Sequence, residues 1–317
     1  MSGDESTASS VDTRHDCSCY PDSDGDIYSR YKSRAMNEES QRFFKEALKF
    51  LIDDVINLLR RQILLIREIE TKKFKQDADV TSYLDAFEII AEQIIGQPDM
   101  ANEYHKMGGF AIFPPCFRCT NSKIRAASLN LMAQICENVA YCNQIVISSD
   151  LFHLILKLLE EEKDLKVANE ALNTIAIVLR NNSQAYKTFV LQKGFEVMLG
   201  LLQKDDDKLR SKTAFNLMTI CRAETGAKNQ MVLSDYLPIL VTLISQQPKP
   251  SHEQVLKLLV MITKNNNKAI EQLKQPKYRM QDVLLECWQA AKNLPNYEEM
   301  EEHCLDLMSI LNLPEIT

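Results

Sequence analysis

The chain has 317 residues, 45% of them hydrophobic, with 37 basic against 44 acidic side chains and a formal charge of −7. That much apolar material fills one large core or two ordinary ones, and the negative balance argues against a nucleic-acid binder driven by overall charge. Only 8 glycines and 10 prolines interrupt a chain rich in Leu, Ile, Ala, Lys, Glu and Gln, a composition that favours helices.

Residues 1–36 are rich in Ser, Asp and Gly and poor in aliphatics. They bury too little apolar surface to offset ordering entropy, so this tail is predicted to be disordered. Its start, MSGDESTASS, has neither the basic nor the apolar region of a secretory leader. The most apolar stretch, FLIDDVINLLRRQILLI, is interrupted by Asp53, Asp54, Arg60 and Arg61, so no membrane span is expected. Nine cysteines without a leader read as reduced thiols of a cytoplasmic protein. Residues 37–76 form N-terminal helices: Phe43, Phe44, Ala47, Leu48, Leu51, Ile52, Val55 and Leu59 recur at steps of three and four, in one long helix or two.

Residues 80–295 repeat with a period of about 43. The units starting at Ser122, Leu165 and Lys208 superpose Leu129, Leu172 and Phe215, then Met132, Ile175 and Met218. A weaker unit follows at SHEQVLKLLVMITKNNN, and TSYLDAFEIIAEQII places Ala86 and Ile89 in register at the other end. Each unit reads as a long helix, a loop, a short helix and a third helical segment. Units of this length and make-up stack into an α-solenoid of the armadillo class. Residues 296–317 add a capping helix through Tyr297, Met300, Cys304, Leu307 and Leu311. The predicted fold is thus all-α, an armadillo-like α-solenoid with flanking helices and a disordered N-terminal tail.

In such a solenoid the long helices line the concave side. Leu172, Ile175, Ala176 and Leu179 read as the core stripe of one of them. The opposite stripe, stepping by four, is Asn169, Asn173 and Ile177, matched by Ala126, Asn130 and Gln134, and by Lys212, Asn216 and Ile220. Val255, Leu259 and Thr263 continue it, and Tyr83, Phe87 and Ala91 begin it. Asn130, Asn173 and Asn216 would then form a row of amides able to meet a partner with little reorganisation. Partly exposed helix asparagines, or asparagines that bond a neighbouring helix, are the plainer reading. Arg125, Lys166, Lys208 and Arg210, with Lys123 and Lys212, form a basic rim at the helix starts, where Asp164 and Asp207 are expected to cap. A basic rim on an acidic chain calls for a partner with an acidic surface.

Catalytic signals are weak. CFRC (Cys116, Cys119) is a lone C-x-x-C without the second pair of a structural zinc site. The five histidines form no motif, and neither a phosphate loop nor a nucleophile elbow occurs. No metal, no cofactor and no enzymatic activity are expected.

The stretches LKVANEALNTIAIVLRNNSQAYKTFVLQKGFEVMLGLLQ, KLRSKTAFNLM, HEQVLKLLVMIT and YEEMEEHCLDL follow one another as in the cytosolic armadillo nucleotide exchange factors of heat-shock 70 chaperones, the heat-shock-70-binding protein one (Fes) family. The chain resembles that family over residues 80–311. The resemblance implies a concave face that wraps one lobe of the chaperone's ATPase domain, opens the nucleotide cleft and promotes ADP release. It places the family's basic contact on Lys212 and a small residue needed for close approach at or next to Ala126. No cofactor, no nucleic acid and no membrane are expected as partners, and the protein is expected to be a monomer when free. The tryptophan ladder of importin-like armadillo proteins would fall at Asn130, Asn173 and Asn216, and none is Trp. An armadillo scaffold for another protein, without exchange activity, is the alternative.

Overall fold

The structure is a computed structural model that describes residues 38–75, 78–247, 249–292 and 298–314; the tail 1–36 lies outside them. The chain divides into two compact units, 1–53 and 54–317. Within the first, the described residues are the start of helix α1 (Glu38–Arg67), one helix rather than two, with Phe43, Phe44, Phe50 and Leu51 exposed. Within the second, α1 continues and buries Leu59, Ile63 and Ile66.

The described residues contain no strand. From α2 (Thr81–Ile94) onward, helices come in triplets. After α2 come α3 (Pro98–Lys106), α4 (Phe113–Phe117), then α5 (Ser122–Cys136), α6 (Ala140–Ser148) and α7 (Leu151–Glu161). The next triplet is α8 (Leu165–Leu179), α9 (Ser183–Leu191) and α10 (Gly194–Gln203). It is followed by α11 (Asp207–Ala223), α12 (Ala227–Leu233) and α13 (Tyr236–Ile244). The series closes with α14 (His252–Thr263), α15 (Asn267–Leu273), α16 (Met280–Lys292) and α17 (Glu298–Leu311). The long helices α2, α5, α8, α11 and α14 lie side by side in chain order, and α17 takes the next place, against α14 and α16. It buries Met300, Cys304, Leu307 and Leu311, while Tyr297 lies outside the described residues.

Local chemistry sets the joints. Asn121, Asp164 and Asp206 cap α5, α8 and α11, accepting from backbone N–H groups of the first turn. Asp207, expected as a cap, instead accepts from Arg210 at 2.7 Å and from Ser251 at 2.7 Å. Just beyond the ends of α5, α8 and α14, Asn138, Asn181 and Asn265 take positive φ (61°, 54° and 60°), a conformation asparagine tolerates better than most residues.

Two arginines expected on the basic rim hold the loops between units together. Arg125 forms a bidentate pair with the buried Glu162 at 2.8 and 3.0 Å and donates to the carbonyls of Cys119 and Thr120. Arg210, 3% exposed, donates to the carbonyls of Leu202 and Lys204, to Asp207 and to Ser251. Their charges are satisfied inside the chain, so neither contributes to a surface rim. Removing one partner of a buried pair strands the other charge. Glu162→Ala is therefore expected to lower stability in urea unfolding by about 3 kcal/mol; a change under about 0.5 kcal/mol would show the pair to be dispensable.

Candidate functional site

The buried positions and the caps fix which residues are equivalent between units. Met132, Ile175, Leu217 and Leu259 are all fully buried, as are Leu129, Leu172, Ala214 and Leu256. The step is 43 residues between the first two units and 42 afterwards; the first shortening arises because α10 has 10 residues where α7 has 11. Each lost residue turns the side chains that follow by about 100° relative to a constant 43-residue period, once at α11 and twice at α14.

The correction moves several expected contacts inward. Asn216 is equivalent to Leu131, Thr174 and Leu258 and is only 8% exposed. Ile220 falls in the row of Ile135, Val178 and Ile262, and Leu259 sits in the core with Val255 and Thr263. Ile177 keeps the row of Gln134 at the 43-residue step and is nevertheless buried, 8% exposed. The outward row is Glu88, Asn130, Asn173, Phe215 and Lys257. Phe215, read as core from the constant period, is 55% exposed. The signal that could have revealed this is the cap series Asn121, Asp164 and Asp206, which already carries the 43 and 42 spacing.

The remaining expected residues share this face. Asn130 donates to Glu170 at 3.4 Å, Asn169 donates to the Leu165 carbonyl at 2.8 Å, and Lys212 donates to the Asn169 carbonyl at 3.2 Å, tying α11 to α8. Asn173 and Gln134 are partly exposed. Lys123, Lys166 and Lys208 are equivalent, exposed, and stand in the first turns of α5, α8 and α11. A lysine faces the positive end of the helix dipole there, a cost that the Asn and Asp caps offset.

Between α2, α5 and α8 the face opens into a groove of about 540 Å³. Its apolar lining includes Phe87, Ala91, Ala126 and Leu131, its rim Glu88, Glu92, Asn130, Gln134 and Glu170, and Lys123 and Lys166 lie at one end. Ala126 is 4% exposed, and a larger side chain there would fill the groove.

The C-x-x-C pair is not activated. Cys116 is fully buried and burial pushes its thiol up; burial raises the half-buried Cys119 as well. A nucleophilic or metal-binding thiol needs the opposite shift. Among the described residues no group of three His, Cys, Asp or Glu side chains is arranged to hold a metal.

Comparison with solved structures supplies the architecture. A designed armadillo repeat protein superposes with a TM-score of 0.58 over 80% of this chain and all of its own, at 14% identity. A set of computationally designed armadillo repeat proteins for modular peptide recognition gives a TM-score of 0.60 over 80% of this chain and all of that one, at 13% identity. The fold is the armadillo fold. No family model matches the chain. Among curated proteins, Hsp70-binding protein 1 of Homo sapiens is 22% identical over 235 residues, covering 74% of this armadillo chain and 65% of the human protein. Hsp70-binding protein 1 of Mus musculus is 23% identical over 185 residues, covering 58% of this chain and 52% of its own. The alignments thus span between half and two thirds of these relatives, and the resemblance drawn from the repeats is to the same proteins.

Asn216 retains one mark of its misfit: its side-chain Nδ2 is buried without an acceptor. A buried donor left unpaired costs more than an apolar group of the same shape. Asn216→Leu, matching Leu131 and Leu258, is expected to raise stability by about 1 kcal/mol in urea unfolding. Destabilisation would mean that the amide has a partner.

Proposed function

We propose that this protein is a cytoplasmic nucleotide exchange factor, binding the ATPase domain of a heat-shock 70 chaperone through the face of its long helices. The observation that carries the reading is the relation to Hsp70-binding protein 1, a protein named for that partner, across 74% of this chain. The face suits the role. Lys123, Lys166, Lys208 and Lys212 offer charge to an acidic surface, Asn130 and Asn173 offer amides, and Phe215 offers an exposed apolar anchor.

The work is done by linkage. A protein that binds the open, ADP-free ATPase domain more tightly than the closed one lowers ADP affinity by the same factor. No group on this chain then needs to touch nucleotide. Rigidity matters instead: adjacent long helices packed over a common core present the row as a preorganised surface, and little ordering is left to oppose binding.

At saturating protein, ADP release from the chaperone is expected to accelerate on the order of tenfold or more; an unchanged rate defeats the proposal. Phe215→Ala and Lys212→Glu each test the face. Phe215 is exposed, so its loss is expected to leave stability within about 0.5 kcal/mol while weakening chaperone binding by about 2 kcal/mol. Lys212→Glu is expected to weaken binding by reversing a charge on the same face. Full binding by both folded variants would remove the contact from this face.

A further inference from the structure

The groove between α2, α5 and α8 carries a charge pattern that packing within the chain does not explain. Glu88 and Glu92 lie one turn apart on α2, both exposed, and neither forms a hydrogen bond or an ion pair among the described residues. Like charges at this spacing repel and destabilise their helix. Both line the groove, and Glu170 reaches it from α8, its carboxylate held toward Asn130 at 3.4 Å. In the unit frame Glu88 is equivalent to Asn130 and Glu92 to Gln134, so the two carboxylates lie two to three turns beyond the level of Lys123 and Lys166. Beneath them the lining is apolar: Phe87, Ala91, Ala126 and Leu131.

We infer that this groove receives an arginine side chain of the partner, its aliphatic stem over Ala126 and Ala91 and its guanidinium against Glu88 and Glu92. The inference rests on the reading of the long-helix face as the partner-binding face. An arginine fits on three counts. Its planar fork satisfies two carboxylates at once, which a compact ammonium does less well. Its methylene stem covers apolar lining that would otherwise meet water. Its charge relieves the Glu88–Glu92 repulsion, so binding recovers energy the free protein leaves unspent. A divalent cation fits poorly, because no three carboxylates among the described residues converge closely enough to hold a metal. Lys123 and Lys166 at the other end repel the guanidinium and fix its direction, so the partner's acidic surface lies toward the helix starts and its arginine toward Glu92.

The test uses the full chain with alanine methyl groups labelled, titrated by NMR with the blocked tripeptide acetyl-Leu-Arg-Leu-amide and with the same tripeptide carrying norleucine in place of arginine. The arginine peptide is expected to shift Ala91, Ala126 and Ala127 saturably. The norleucine peptide, and the arginine peptide on the Glu88→Gln/Glu92→Gln variant, are expected to bind at least tenfold more weakly. No saturable shift at these methyls, equal response to norleucine, or full response in the variant overturns the inference. Affinity for the chaperone ATPase domain separates the two readings. If the wild-type chain binds it and the variant binds equally well, only the arginine pocket fails. If the wild-type chain does not bind it, the exchange-factor reading fails and the peptide titration still decides the pocket.

Discussion

Each long helix of this chain must bury one side against the next long helix and another against the shorter helices of its own unit. What is left is a narrow strip facing solvent, and its composition is free to serve a partner. The fully buried series Met132, Ile175, Leu217 and Leu259 shows how strictly the buried side is held. The loops between units are fixed just as firmly, by Arg125 on Glu162 and by Arg210 on Asp207 and Ser251. These clamps tie α5 to the loop before α8, and the start of α11 to the start of α14.

The strip changes character along the stack. It begins acidic at Glu88 and Glu92, passes through Asn130 and Asn173, and reaches Phe215 and Lys257, the last bonded to Glu299 at 3.2 Å. The lysines of the helix starts run beside it. Such a surface discriminates partners by the arrangement of charge more than by total area. The exchange role proposed above needs this kind of discrimination, because only differential affinity for two states of a partner moves that partner's nucleotide equilibrium.

The fold was legible because it repeats. Apolar residues at helical spacing, a recurrence near 43 residues and capping residues before α5, α8 and α11 are local signals that no tertiary contact overrides. The asparagines that recur for a structural reason are Asn138, Asn181 and Asn265, placed by backbone conformation just past helix ends. The site was legible only in part. A constant period cannot show that α10 is one residue shorter than α7, and beyond that point the inferred face rotates into the core, carrying Asn216, Ile220 and Leu259 inward and bringing Phe215 out. Nor does sequence alone tell a surface arginine from a buried one. Arg125 and Arg210 look like Lys123 and Lys208 until Glu162, 37 residues on from the first, and Ser251, 41 residues on from the second, are seen to enclose them together with the loop carbonyls.

The claim that the long-helix strip is the working surface is tested most directly by hydrogen exchange on the full chain, with and without the nucleotide-free chaperone ATPase domain. Protection is predicted on α2, α5, α8, α11 and α14, with little change on α6, α9 and α12. Protection confined to the short helices, with the long helices exchanging as in the free protein, would contradict the account.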